Sequence, residues 1–304
     1  MLVSKKISIK RILSGTWQHL VFDFLTCLLT YYLYVYIIKS QFQLPALVPT
    51  ILGTALSFFI GFSNNQAYDR WWEARKIWGS LVNDSRSWAR QVMFYTKLPS
   101  NRDTGKYENL RHNLIHRHIA FIYALKQKLR KSGADEYQNY LEAEELEKIK
   151  SRKNKANAIL DLQAMDLNKM LEYQIIDGFR FLELNGLNVK FCDEMGRSER
   201  IFNTVFPLTY AFYTRIFIWI FIISITMVAA DHVDKWAIVV GTLVGYIFLT
   251  THKIGGTLLN PFDEIDSGIA LDQISRTIEI DMLETYGEEN LPEPIINQGK
   301  EYVM

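Results

Sequence analysis

Hydrophobic positions along this chain gather into four runs, separated by one long, charge-dense middle section. The run at 44–62, LPALVPTILGTALSFFIGF, carries no charge. At about 1.5 Å per residue it can cross about 30 Å of hydrocarbon. The pattern then turns polar over 63–78, SNNQAYDRWWEARKIW, with no Gly or Pro between Phe62 and Gly79. That continuity predicts one helix that leaves the membrane without a break. Pro45 and Pro49 open the span, where the missing donors of a first turn do no harm.

The other runs follow the same logic. Residues 20–38, LVFDFLTCLLTYYLYVYII, predict a first span marred only by Asp23, which reads as an interfacial residue at the helix end. Residues 208–230 predict a third span with Arg215 near one end, and 236–251 a fourth with Gly241 and Gly245 at GxxxG spacing, which favours close helix contact. Lys and Arg crowd the chain before the first span and after the second, while the turn between them has only Lys39. The loop at 231–235 has one Lys against two Asp, and His252 and Lys253 follow the fourth span. The positive-inside rule therefore places both termini in the cytoplasm of a multi-pass cell-membrane protein.

The expected organisation is a cytoplasmic N-terminal segment (1–19), basic and amphipathic; spans at 20–38, 44–63, 208–230 and 236–251; a helical cytoplasmic region at 64–206; and a cytoplasmic tail at 252–304. In the cytoplasmic region Leu110, Leu114, Ile115, Ile119, Ile122 and Leu125 recur with helix period. The charge-dense stretch 126–155 reads as a solvated helix pair whose opposite charges offset each other. A further apolar periodicity over 159–187 is expected to close near Gly186. The tail is acidic, with Glu279, Asp281, Glu284, Glu288 and Glu289, which suggests a meeting with the basic N-terminus.

Residues on the second run sort by size. Gly53, Ser57 and Gly61 form a small-residue ridge, and Thr54, Phe58 and Phe62 a stripe about 100° round the helix. Such a ridge lets another helix approach closely. Two arrangements fit the spacing alone. Either the helix is buried in a single-chain bundle with the phenylalanines as ordinary packing, or symmetry copies meet through the ridge and stacked rings of Thr54, Phe58 and Phe62 line a pore.

A composition of 49% hydrophobic and 22% charged residues suits a protein half in lipid and half in water. Net charge is +1, which implies no nucleic-acid partner. Cys27 and Cys192 lie in unlike surroundings and predict neither a disulfide nor a metal. No removable signal peptide is expected, so the first run stays in the protein. Phosphate loops, nucleophile elbows and paired-cysteine motifs do not occur, and no enzyme activity or cofactor is expected. His112, His116 and His118 raise a metal reading because His at i and i+4 share a helix face. Without a second histidine box they read instead as surface or structural histidines. Asp69 and Glu73 share a face close to Arg70, Arg75 and Lys76, and read as a salt-bridged network rather than an acid/base pair.

The run GFSNNQAYDRWWEARKIWG at 61–79 resembles the signature of the bacterial bestrophin-like channels, and NPFDE at 260–264 is similar to a second motif of that family. The resemblance implies an all-α polytopic fold with four transmembrane helices per subunit and a helical cytoplasmic region, assembled in the lipid bilayer as a homopentamer around one pore. It further implies a neck at Thr54, Phe58 and Phe62, and a cytoplasmic constriction just ahead of Pro207, at Ile201 or Thr204. Animal members bind calcium through consecutive acids after NPF. Here Ile265 and Gly268 fall where carboxylates would coordinate, so no calcium clasp is expected. The expected function is passage of small monovalent ions, anion or cation, since the family contains both kinds. The alternative is a membrane-anchored interaction or scaffold protein.

Overall fold

The computed structural model describes residues 9–97, 104–204 and 208–296, and the regular elements among them are all helical. In chain order α1 is Ile9–Leu33, α2 Leu47–Phe94, α3 Thr104–Arg130, α4 Ala143–Lys150, α5 Lys155–Glu172, α6 Gly178–Asn203, α7 Leu208–Val233, α8 Trp236–Leu258 and α9 Leu271–Tyr286. Among the described residues, four segments are long and apolar enough to cross a membrane: Ser14–Ile38, Leu47–Phe94, Thr209–Val233 and Trp236–Leu258. The chain is thus an all-α polytopic membrane protein. It divides into two compact units, one built from described residues of 9–71 and 208–260, the other from those of 72–204 and 261–296.

The first unit contains α1, the N-terminal part of α2, α7 and α8. Pro49 sits in the first turn of α2, where backbone N–H groups have no intrahelical partner in any case. Cys27, Leu56, Ile60, Ile218, Phe221, Ile222 and Leu249 form its core, and Tyr31, Tyr34, Ala230 and Ala237 a second cluster. The α7–α8 turn is short, with Asp234 at φ 47°. It is tied down by polar contacts from α1 and the turn that follows it. The Tyr31 hydroxyl donates to Asp234, Tyr34 donates to Asp231 at 2.6 Å, and Lys39 pairs with Asp231 at 3.0 Å.

One expectation for this unit needs correction. Helix α1 runs through residues 9–19 into the first span. Asp23 therefore stands inside a helix and not at its end, and it is fully buried. The space for its carboxylate comes from Gly245 on α8, where a Cβ would overlap it, and the Cys27 thiol donates to it at 3.6 Å. Gly241 similarly admits Thr226 and Cys27. The GxxxG pair thus seats polar side chains as well as backbone. On α2 the small ridge is divided. A Cβ at Gly53 would meet the Phe221 ring of α7 at 2.9 Å, whereas Ser57 is exposed and Gly61 has open space beside it.

The second unit is built around α3, which packs against α5, α6 and α9. Its helix-period residues Leu110, Leu114, Ile115, Ile119, Ile122 and Leu125 are all buried. Trp78 and Trp88 of α2 are buried too, and Trp88 Nε1 donates to the Leu114 carbonyl at 3.2 Å. His118 is enclosed against Phe121 and Phe191, with Nε2 2.8 Å from Ser85 Oγ. Burial pushes its pKa down to about 3, so it is a neutral core histidine.

Two expectations for this unit need correction. The stretch 126–155 is not simply solvated: Glu145 of α4 is buried with Arg117, which also holds Asp166 of α5, and Lys126 is buried against Glu136 and Asp272. Gly186 does not end a helix. The break falls at 173–177, where Gln174 takes φ 57° and Asp177 caps α6 by accepting from Arg180 N at 2.9 Å. Tail acids find partners within the unit: Asp281 with Arg86 at 2.7 Å, Glu279 with Tyr123 and Tyr140, and Glu288 with His116 at 3.2 Å. Residues 1–8, the other half of the expected N-terminus–tail meeting, lie outside the described residues.

Candidate functional site

Helix α2 has two faces within the first unit. Leu56, Ile60, Ser63 and Ala67 are buried, at spacings that keep them on one side. Phe58 and Phe62 are offset from Leu56 and Ile60 by two residues, about 200° round the helix, and they point away from the chain's own core. Phe58 is 76% exposed and Phe62 58%, and Thr54 is exposed on the same side. They are not interior packing of a single-chain bundle. Within one chain this face has an aromatic neighbour that the sequence did not single out. Tyr210 of α7 donates to the Phe59 carbonyl at 2.9 Å, and its ring lies 6.0 Å from Phe59 and 6.5 Å from Phe62.

The polar groups of the face are already committed. Thr50, Thr54 and Ser57 each donate to the carbonyl one turn back, at 2.8, 2.9 and 2.8 Å. Their protons are therefore turned to the backbone, and beyond Ser57 the stripe presents the rings of Phe58 and Phe62 beside the backbone of Gly61. A face of this kind can make a narrow, poorly wetted passage if copies enclose it, but it cannot coordinate a metal or perform acid/base chemistry.

The two candidates for the second constriction part company. Ile201 is 5% exposed and belongs to the interior of its unit. Thr204 caps the end of α6 and is exposed, its hydroxyl donating to Arg200 O at 2.6 Å. Of the acid pair on α2, Glu73 meets Arg200 of α6 at 2.9 Å and Arg197 at 3.9 Å, so its charge is answered by α6.

The NPFDE motif forms a tight turn around the fully buried Phe262. Ile269 N donates to Pro261 O at 2.8 Å, Gly268 N donates to Ile265 O at 2.8 Å, and a side chain at Gly268 would collide with the Asp263 carbonyl. Glu264 lies 3.5 Å from Arg130, which also pairs with Asp272 at 3.0 Å. Residues 265 and 268, where the calcium-binding pattern has acids, serve the turn itself.

Comparison with known proteins agrees with this architecture. Residues 4–284 match the family model described as bacterial/fungal bestrophin protein. The chain is 29% identical over 248 residues to the voltage-dependent anion channel-forming protein YneE of Escherichia coli K12, covering 81% of this chain and 79% of that one. It is 30% identical over 244 residues to the protein of the same name from Salmonella typhi, covering 80% and 77%. Among solved structures, a bacterial bestrophin homolog from Klebsiella pneumoniae shares the fold with TM-score 0.82 at 21% identity, covering 90% of this chain and 98% of that one. Four membrane-length helices, the α2 motif and the family match over nearly the whole chain lead to one conclusion: this protein belongs to the bacterial/fungal bestrophin family.

Proposed function

We propose that the chain is one subunit of a homopentameric ion channel in the cell membrane, with both termini cytoplasmic, and that it passes small anions. The observation that carries this is the outward face of α2, where Phe58 and Phe62 are turned from the chain's own core in a helix long enough to span a bilayer. Five copies arranged about an axis would place rings of Thr54, Phe58 and Phe62 around it as a neck. Such rings make a hydrophobic constriction that gates by wetting and drying rather than by a bound charge. Phenylalanine edges are weakly positive, so rings turned edge-on to the axis favour an anion. The names of the Escherichia coli and Salmonella relatives support the same ion sign. For a lower constriction Thr204 is the better candidate, because a pore-lining side chain must be free of its own subunit's core and Ile201 is not. The spans follow α1, the N-terminal part of α2, α7 and α8, and the remaining helices form the cytoplasmic part.

Planar-bilayer recording under an asymmetric KCl gradient tests the proposal. The expected reversal potential has the sign of the chloride equilibrium potential. A potassium-signed reversal would overturn anion selectivity, and an ion-tight bilayer would overturn conduction and favour a scaffold role.

A further inference from the structure

We infer that His112, His116 and Glu288 form a divalent transition-metal site, of the zinc class, that clips the end of α9 to α3. The two histidines are one turn apart on α3, with rings stacked at 3.8 Å. Glu288, from the far end of the chain, brings a carboxylate oxygen to 3.2 Å from His116 Nε2. One donor atom from each of the three residues lies within 4.8 Å of the others.

Hydrogen bonding fixes which nitrogens are available. His116 Nδ1 lies 3.0 Å from the His112 carbonyl, which can only accept, so Nδ1 carries a proton and in the neutral ring Nε2 carries the lone pair. His112 Nδ1 lies 3.4 Å from Asn113 Oδ1, which leaves its Nε2 free in the same way. The His116 Nε2 lone pair thus faces a carboxylate oxygen at hydrogen-bond distance, and two acceptors so placed require a cation between them. A proton would satisfy that pair alone. The donor atom that His112 brings within 4.8 Å of the other two is a third ligand, which a metal ion uses and a proton does not. Two imidazoles and one carboxylate, with a fourth position left to water, form a ligand set that suits Zn2+, and Cu2+ or Ni2+ by the same donor chemistry.

The third ligand is held by a defined helix cap and not by a loose tail. Gly287 takes φ 98° after α9, its N–H donates to Glu284 O at 3.1 Å, and the Glu288 N–H donates to Leu283 O at 3.0 Å. That is the paired bonding of a Schellman motif, which sets the direction in which the next side chain leaves the helix. Tyr286 stands edge-on to both imidazoles, with ring centroids at 5.8 and 6.1 Å, and Tyr140 lies 6.0 Å from His116. A cavity of about 270 Å³ lined by His112, His116, Tyr140 and Glu142 opens beside the site and gives an ion a way in.

The test is calorimetric titration of the tag-free full chain in detergent, stripped with EDTA, with ZnCl2. The expected result is one zinc per chain, weakened at least about tenfold by Glu288→Gln and lost in the His112→Asn/His116→Asn double variant. Glu288→Gln leaves the backbone cap intact, so its helicity should match that of the parent chain. Zinc should also slow proteolysis after Tyr286 in the parent chain and not in the double variant. Absent zinc uptake, or uptake that Glu288→Gln and the double variant leave unchanged, overturns the site.

Discussion

Replacing Gly245 by Ala should loosen the membrane-spanning unit. An added Cβ there would overlap both Asp23 carboxylate oxygens and stand 2.8 Å from Asp23 Cγ, inside the 3.0 Å that real Cβ atoms respect. Asp23 has little room to retreat, because it is fully buried and shares its contact with Cys27. Overpacking of a closed site costs about 1–3 kcal/mol, and the expected loss for Gly245→Ala lies in that range. Gly241→Ala should behave alike, since a Cβ there would lie 2.9 Å from Cys27 Sγ and overlap Thr226. Asp23 beside Gly245 and Cys27 beside Gly241 are hydrogen-bonded to each other, so the double variant should not be additive. Gly256→Ala on the same helix is the control. No atom lies within 4 Å of a Cβ there, and the helix-propensity gain of about 0.5–1 kcal/mol should appear unopposed. Equilibrium unfolding in mixed micelles, followed by circular dichroism, gives the three differences directly. Equal stability of Gly245→Ala and Gly256→Ala would refute the close α1–α8 contact.

In the second unit, Arg117→Met should destabilise by about 3–5 kcal/mol, because it strands Glu145 as a buried carboxylate and leaves Asp166 only the half-exposed Lys169 at 2.9 Å; a thermal midpoint equal to that of the parent chain would contradict the triad. Glu194 is buried and lies near Asp84, and both effects raise its pKa to about 8. The folded protein therefore keeps a proton that the unfolded chain loses above the ordinary carboxylate range. The stability this contributes is fully present below that range and lost as pH rises through about 8. Unfolding midpoints measured from pH 5 to 9 should fall with pH more steeply for the parent chain than for Glu194→Gln, and parallel profiles would contradict the assignment.

Much of the fold could be read from the chain because membrane spans announce themselves by length and charge alone, and four such helices are present. The unbroken passage of α2 from the apolar run into the RWW region followed from the lack of a helix breaker, and the helix continues to Phe94. What failed depended on partners distant in sequence. Asp23 looked interfacial because its partner, Gly245, is defined only once α1 and α8 pack. Glu145 and Lys126 looked solvated because composition does not reveal that Arg117 and Asp272 face them. At the candidate pore face, size sorting picked out Phe58 and Phe62 but could not say which flank was covered. Packing of Gly53 on Phe221 decides that, and leaves the ringed flank open. Glu288, which the structure brings beside the histidine pair on α3, likewise comes from beyond α9 and could not be placed there from spacing.

The claim that Phe58 and Phe62 form the neck is tested most directly by chloride flux from liposomes containing the Phe58→Ala/Phe62→Ala double variant. In the proposed pentamer, removing two rings from each subunit would widen and wet the passage, so the predicted result is flux well above that of the parent chain at equal protein content. Flux equal to the parent's would mean that these side chains face lipid, and the neck would have to be sought elsewhere.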